Sequence, residues 1–333
     1  MRIIDRIFKN KYPPESAGRR MVKNVPLALP EQTISDVQKM LFEKAREFET
    51  LNYIYVVDQN GKLVGIFSLK DVFQKPKESK IKDLMIKDII KVFPRTDQER
   101  VAILSLKHNL KAIPIADKEN VFLGVVPSDV ILEILHSENA EDILRFAGVS
   151  KYNTFADKIF SASPFVLTRL RLPWLILGLF GGFLAAKIVN LFEAPLRDHF
   201  ILAAFIPLIV YMADAVGTQT ETLFIRSLVY RLDIKNYFLK EIKVSFAIAL
   251  ILGSLLGLIS YLWFGLSYIG IILGISLFLT VLGAFALGLL VPYFFQKMKK
   301  DPAIVSGPVG TIIRDILSLI LYFSIAFLLL KNF

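Results

Sequence analysis

Hydrophobic and polar positions alternate in two different ways along this chain, and the change falls near residue 171. Before it, short apolar runs such as 53–57 and 112–115 are separated by charged segments of helical period. Runs of that length bounded by turn residues read as strands, and the segments between them as amphipathic helices. After it, five long apolar stretches follow one another, at about 172–192, 200–212 with a less regular continuation, 244–263, 269–295 and 308–330. Each is close to the length needed to cross about 30 Å of hydrocarbon as a helix. The chain is therefore expected to be an α+β soluble part followed by an all-α membrane part of five transmembrane helices.

Composition agrees with that division. A mean hydropathy of +0.53 with 54% hydrophobic residues is too apolar for an ordinary soluble protein of 333 residues. Both parts are basic, with 28 Lys and Arg against 22 Asp and Glu up to Arg171 and 12 against 8 after it. Much of the excess flanks the apolar spans, so it reports orientation and gives no sign of a nucleic-acid partner. Arg169 and Arg171 precede the first span, Arg226, Arg231, Lys235, Lys240 and Lys243 lie between the second and third, and Lys297, Lys299 and Lys300 between the fourth and fifth. Placing those loops in the cytoplasm puts the N-terminus inside a plasma membrane and the C-terminus outside, as an odd span count requires. With no cysteine, disulfides, thiolate catalysis and Cys-based metal sites are excluded. Residues 1–20 form a basic segment, and residues 1–14, whose apolar core is too short for a signal peptide, are expected as a surface helix or membrane-lying arm.

The last span carries an acid. If its helix starts at Pro308, a favoured first-turn residue, Asp315 lies roughly 10 Å along an axis of about 35 Å, a third of the way across. An ionisable group at that depth marks a functional site. Thr311, Asp315, Ser318 and Tyr322 recur at helical spacing, so one polar stripe runs down an otherwise apolar helix. The second span has its own polar interruption, Asp214-Ala215-Val216-Gly217-Thr218-Gln219-Thr220-Glu221, a composition that suits the wall of a cavity. Asp214 has two readings, a wall of the ion path or the partner of Arg314. Glu221 and Arg226 have a plainer one as residues reaching the cytoplasmic end of their helix.

The first part contains an internal repeat, residues 26–73 and 89–135. Each copy reads as strand, helix from Thr33 or Thr96, apolar strand, turn at Asn60-Gly61 or Glu119-Asn120, strand and helix. Asn-Gly between apolar runs is a strong hairpin signal. This order resembles a tandem pair of CBS motifs, covering residues 21–136. The first copy ends Gly-Ile-Phe-Ser-Leu-Lys-Asp, where Ser68 and Asp71 match positions that in such modules contact the ribose and phosphate of adenosine ligands. Asp129 is the weaker match in the second copy. The resemblance thus implies ATP or another adenine nucleotide as a ligand, while Asp71 has an equal reading as the cap of the next helix.

Further motifs carry a wider resemblance. The run from Glu138 through Glu141, Asp142 and Gly148 to Val149, Arg-Leu-Pro-Trp-Leu at the first span, Phe-Ile-Pro-Leu-Ile with Gly-Thr-Gln in the second, and Asp-Pro-Ala-Ile-Val-Ser-Gly-Pro with Asp315 in the last are similar to the MgtE family of magnesium channels. That family commonly reads Gly-Gly-Asn-Ala-Gly-Thr-Gln where this chain has Ala213 to Gln219, so an amide is exchanged for Ala215 while Asp214 appears. It also commonly carries an acidic helical domain ahead of the CBS pair, where about twenty residues stand here, so weaker inhibition by intracellular magnesium is expected. The resemblance implies a homodimer in membrane lipid, with connecting helices at 137–171 and a cation-permeation domain at 172–333. It places Asp315 at the central site and Asp301 at the cytoplasmic mouth, Asp301 having a turn residue's reading as well. Five helices are few to enclose a hydrated path, which independently favours a shared pore.

Mg²⁺ suits so sparse a site because it dehydrates reluctantly and is held through one or two carboxylates with its waters kept. Thr218 and Thr311 supply hydroxyl oxygens beside Asp214, Glu221 and Asp315. The acids Glu138, Glu141, Asp142 and Asp157 repel one another unless cations bridge them, so regulatory Mg²⁺ would favour a closed state by differential binding. An enzyme is not expected: His108, His136 and His199 lack the His-Glu-x-x-His spacing of a zinc protease, and there is no P-loop. Two other classes stay open, an ion-coupled exchanger for Mg²⁺ or other divalent cations and a membrane sensor of adenine nucleotides that transports nothing.

Overall fold

A computed structural model of the protein describes residues 11–149, 161–192, 199–229, 234–298 and 307–331. The chain divides into two compact units, Met1–Asn139 and Ala140–Phe333.

The first unit runs α1 (Ala17–Arg20), β1 (Leu27–Ala28), α2 (Ile34–Lys44), β2 (Tyr53–Val57), β3 (Leu63–Ser68), α3 (Leu69–Gln74), α4 (Ile81–Leu84), α5 (Gln98–His108), β4 (Ala112–Ala116), β5 (Phe122–Pro127) and the start of α6 (Ser128–Phe146). β1 pairs parallel with β2, and β2 antiparallel with β3; β4 and β5 form the equivalent hairpin of the second copy. Both hairpins carry an irregularity at the matching place, Val56/Val57 and Ile115/Ala116. Gly61 turns the first at φ +75 and Asn120 the second at φ +68, backbone conformations that glycine and asparagine tolerate best.

Each copy has its own core, Ile34, Val37, Ile54, Val56 and Phe67 in one and Val101, Ile113, Ile115, Val126 and Ile134 in the other. A third cluster of Val25, Tyr55, Leu63 and Val125 joins them, with the Tyr55 and Phe122 rings stacked at 5.2 Å. Two expectations are revised. The strand that should open the second copy shrinks to one bridge between Val92 and Ile115, because Pro94 has no N–H to extend it. Its helix starts at Gln98, after Thr96, and is capped by Asp97, which accepts from the Glu99 N–H at 2.9 Å.

Beyond the expected arm, the basic segment packs into the fold. Ala17 is buried in the core of the second copy, its N–H bonds the Thr96 carbonyl at 2.7 Å, and Arg20 reaches Glu133 at 3.0 Å and Gln98 at 2.7 Å. The segment ahead of the first copy therefore completes the second.

In the second unit follow α7 (Pro164–Leu191), α8 (Phe200–Ala204), α9 (Ile206–Val229), α10 (Ile234–Phe264), α11 (Ser267–Lys297) and α12 (Pro308–Leu330). Among the described residues, five spans are long and apolar enough to cross a membrane, α8 and α9 together making one. α11 is the central helix, packed by α9, α10 and α12. α10 and α11 cross closely at small residues: a Cβ on Gly253 would lie 2.7 Å from the Gly274 carbonyl oxygen. α7 packs on α12 and otherwise buries almost nothing.

The second span is irregular in a different place from the one its composition suggests. Helix α9 runs unbroken through Gly217 to Glu221, and the break lies at Phe205. Pro207, having no N–H, cannot bond the carbonyl of Ala203, so one backbone hydrogen bond is lost where the break falls. The Tyr322 hydroxyl donates to the Leu202 carbonyl at 2.7 Å from α12, satisfying backbone at that break.

Candidate functional site: a polar cavity in the membrane unit

Four helices of one unit surround a cavity of about 670 Å³. α7 contributes Gly178, Gly181, Gly182 and Ala185; α9 contributes Asp214, Thr218 and Thr222; α12 contributes Pro308, Thr311, Ile312 and Asp315; the end of α6 contributes Phe146 and, just beyond it, Ala147. The α7 side is small-residue wall, so the cavity's oxygen atoms come from α9 and α12. Four residues singled out from the sequence, Asp214, Thr218, Thr311 and Asp315, meet here although nearly a hundred positions separate the two pairs.

Their arrangement turns on Arg314. Its side chain is 2% exposed and runs behind the cavity wall. Nε donates to Asp214 Oδ1 at 2.9 Å, Nη1 to Glu221 Oε2 at 2.5 Å, and Nη2 to Thr218 Oγ1 at 3.0 Å and Thr311 Oγ1 at 3.3 Å. Glu221 is as buried as Arg314, whereas the Asp214 side chain keeps 33% exposure toward the cavity. A charge buried at membrane depth must be paired and hydrogen-bonded, and this fork satisfies two carboxylates and two hydroxyls at once. The structure therefore realises the ion pair of Asp214 with Arg314, and it puts Glu221 inside the network, not at the helix end. Arg226 is exposed.

The local sequence explains how the fork fits. Asp214, Thr218 and Glu221 stand at i, i+4 and i+7 on one face of α9. Gly217 lies within that face: a Cβ there would be 2.2 Å from Arg314 Cδ, so only glycine leaves room for the arginine stem. On α12 the Ser318 hydroxyl donates to the Arg314 carbonyl at 2.7 Å. The expected polar stripe thus divides. Thr311 and Asp315 line the cavity, while Ser318 and Tyr322 turn into the core and satisfy backbone carbonyls.

Asp315 differs from its neighbours. Among the described residues no donor hydrogen-bonds its carboxylate, and it is half-buried at the cavity wall. Nor do three acidic or histidine side chains converge as a closed metal cage among the described residues. One free carboxylate, one oxygen of Asp214 left over by the arginine, and hydroxyls around a space far larger than one water can receive a hydrated cation without stripping it.

The described acids toward the end of α6 are engaged within the chain. On α6, Glu138 accepts from Gln98 Nε2, Glu141 pairs with Arg145 one turn on, and burial pushes the Asp142 carboxyl above its ordinary value, partly offset by Arg226 and Arg145. Asp157 and Asp301 lie outside the described residues.

In the first unit Ser68 is the N-cap of α3. Its hydroxyl accepts from the Asp71 N–H, and Asp71 accepts from both the Ser68 N–H and hydroxyl, the latter at 3.0 Å. The helix-capping reading of Asp71 is therefore realised as a full capping box. In the second hairpin, Pro127 pairs with Ala112 as Ser68 pairs with Tyr53, so a proline holds the serine's position and Asp129, which is exposed, has no such partner.

Sequence reasoning weighs Arg314 as a partner of Asp214 alone and misses both its bond to Glu221 and the role of Gly217. The signal is present, since two acids seven residues apart flank a glycine on one apolar helix and a basic residue stands at equivalent depth on another.

A family model described as MgtE, divalent cation transporter, matches residues 206–325, and CBS domain models match 17–78 and 81–137. The magnesium transporter MgtE of Bacillus subtilis (strain 168) is 35% identical over 319 residues, covering 95% of this chain and 70% of that one. That of Thermus thermophilus is 32% identical over 326 residues, covering 96% and 71%. Among solved structures, a crystal structure of the cytosolic domain of the Mg²⁺ channel MgtE in complex with ATP is similar at 29% identity with a TM-score of 0.39, covering 39% of this chain and 53% of that one.

Proposed function

The chain belongs to the MgtE family, a CBS pair followed by a multi-pass membrane domain, and from that premise we propose that it conducts Mg²⁺ through a pore shared by two copies in the plasma membrane. The observation that carries this reading is the Asp315 carboxylate, which takes no hydrogen-bond donor among the described residues at the wall of a polar cavity inside an apolar helix bundle. Mg²⁺ is the cargo. Asp315 would meet its water shell as an acceptor, with Asp214, Thr218 and Thr311 beside it; Glu221 stays behind Arg314 and holds the wall. Asp301 would concentrate cations at the cytoplasmic mouth.

A second copy is supported by α7, whose apolar window is only 6% buried. One chain leaves the cavity walled by small residues on that side, and a two-fold partner would bring a second Asp315. The cytoplasmic placement of the N-terminus follows from the basic loops.

Regulation is assigned to the acids of α6 and the segment after it, Glu138, Glu141, Asp142 and Asp157. Intracellular Mg²⁺ binding there would have to displace Arg145 from Glu141 and favour the ionised form of Asp142, which burial opposes. An adenine nucleotide at Ser68, Asp71 and Asp129 would have to compete with the capping box. Both competitions predict weak, readily reversed binding.

Reconstitution in planar bilayers tests the reading. Discrete unitary currents carried by Mg²⁺, with no counter-ion on the opposite side, are expected. Flux that requires a counter-ion and shows no unitary steps would assign the protein to exchange; no flux of any divalent cation would end the transport reading.

A further inference from the structure

Arg314 is a fixed cation at the wall of a cavity meant to attract cations, and it takes its partners from that wall. Two carboxylates share its one charge. Glu221 is buried with it, while Asp214 gives up one oxygen and keeps the other side of its carboxylate at the cavity. Resting on the permeation reading above, we propose that Arg314 sets the cation preference of this pore, holding the cavity's ligand field weak enough to favour ions that keep their water over ions that prefer to be caged.

The chemistry follows from the two kinds of divalent ion. Ca²⁺ accepts six to eight oxygens, bidentate carboxylates among them, in flexible geometry, whereas Mg²⁺ demands near-octahedral geometry and sheds water slowly. With Arg314 in place, a cation entering the cavity meets Asp315 and a single, charge-compensated oxygen of Asp214. Without it, the same wall offers a fully charged, bidentate Asp214 with the Glu221 charge behind it, a set that suits Ca²⁺. A site that binds tightly also releases slowly, so the stronger field would retard throughput as well as change preference. The guanidinium touches the ligand, not the ion, so Arg314 is a positioning residue for Asp214, and Gly217, Thr218 and Thr311 position it in turn.

The test is Mg²⁺ uptake into proteoliposomes containing the full chain, with external Ca²⁺ titrated as a blocker. Removing a unit positive charge a few ångströms from a divalent ion raises its affinity by about 10-fold or more at the dielectric of a half-exposed site, so Arg314→Gln should lower the half-blocking Ca²⁺ concentration by about that factor. Pairing it with Glu221→Gln removes the charge behind Asp214 but leaves Asp214 uncompensated, so the block should fall between that of the single variant and wild type. Arg314→Lys, which keeps the charge and loses the fork, should stay near wild type. If Arg314→Gln cannot be folded, Asp214→Asn, which leaves Arg314 on Glu221, should move the block the other way, to higher Ca²⁺. Equal loss of flux with an unchanged Ca²⁺ block in Arg314→Gln, or a block in the double variant as tight as in the single one, would overturn the proposal. So would a tighter block in Asp214→Asn. Wild-type liposomes test the underlying permeation separately, since a wild type that passes Mg²⁺ while the variants keep its preference fails the inference alone.

Discussion

Substituting Gly217 by alanine adds one methyl group, and the structure says where it must go. Carbon atoms pack at about 3.5–4.0 Å, yet the new Cβ would sit 2.2 Å from Arg314 Cδ and 3.0 Å from Nε. The arginine stem has to retreat by more than about 1 Å to restore contact distance. The Nε bond to Asp214 is 2.9 Å long and the Nη1 bond to Glu221 2.5 Å, so such a retreat breaks the first and distorts the second. Stranding one member of a buried ion pair costs about 3–5 kcal/mol, against a helix-propensity gain of about 1 kcal/mol for alanine. Gly217→Ala should therefore destabilise the membrane unit by about 2–4 kcal/mol. Gly182→Ala is the control, because an added Cβ there meets nothing within 4 Å and the same propensity gain stands alone. Denaturant unfolding in detergent micelles, followed by tryptophan fluorescence, reads both. Equal stability of the two variants would refute the picture of an arginine pinned behind the wall.

Other consequences are smaller. Tyr322→Phe removes the donor to the Leu202 carbonyl in the core and should cost about 1–3 kcal/mol in the same assay. Asp71→Ala deletes the capping box of α3, should lower the stability of that helix by about 1 kcal/mol by hydrogen exchange, and should alter nucleotide response while leaving permeation in place. For Asp142 the folded carboxyl is raised by burial above its ordinary 3.8, so its contribution to stability is present below that value and is lost as pH rises through the raised one. In Mg²⁺-free buffer the melting advantage of Asp142→Asn over wild type should then grow from acid toward neutral pH, and added Mg²⁺ should shrink it. An advantage independent of pH would contradict the assignment.

How much of this is legible in the sequence depends on the range of the interaction. Tyr53–Val57 as a strand, the turn at Asn60-Gly61, the helix after Thr33 and the five apolar spans are local consequences of periodicity and turn chemistry, and the structure has them. Asp315 stands out because carboxylates are rare in such a helix. What escapes is set by neighbours far along the chain. Ala17 stands in a basic segment with no visible partner until the second CBS copy is folded beneath it, and Glu221 reads as a helix-end acid until α12 delivers Arg314. Polar residues in the second span suggest irregular backbone, yet they sit on an intact helix, and the break falls at Phe205, beside the hydrogen bond that Pro207 removes. Gly217 reads as part of a cavity wall, and its use is room for the Arg314 stem.

The central claim is that one carboxylate at membrane depth carries the cation. Mg²⁺ entry into proteoliposomes, measured by an entrapped magnesium-sensitive dye for wild type and Asp315→Ala at equal folded protein, tests it most directly. Wild-type vesicles should fill and Asp315→Ala vesicles should show only the leak of protein-free liposomes. Undiminished entry in the variant would contradict the account.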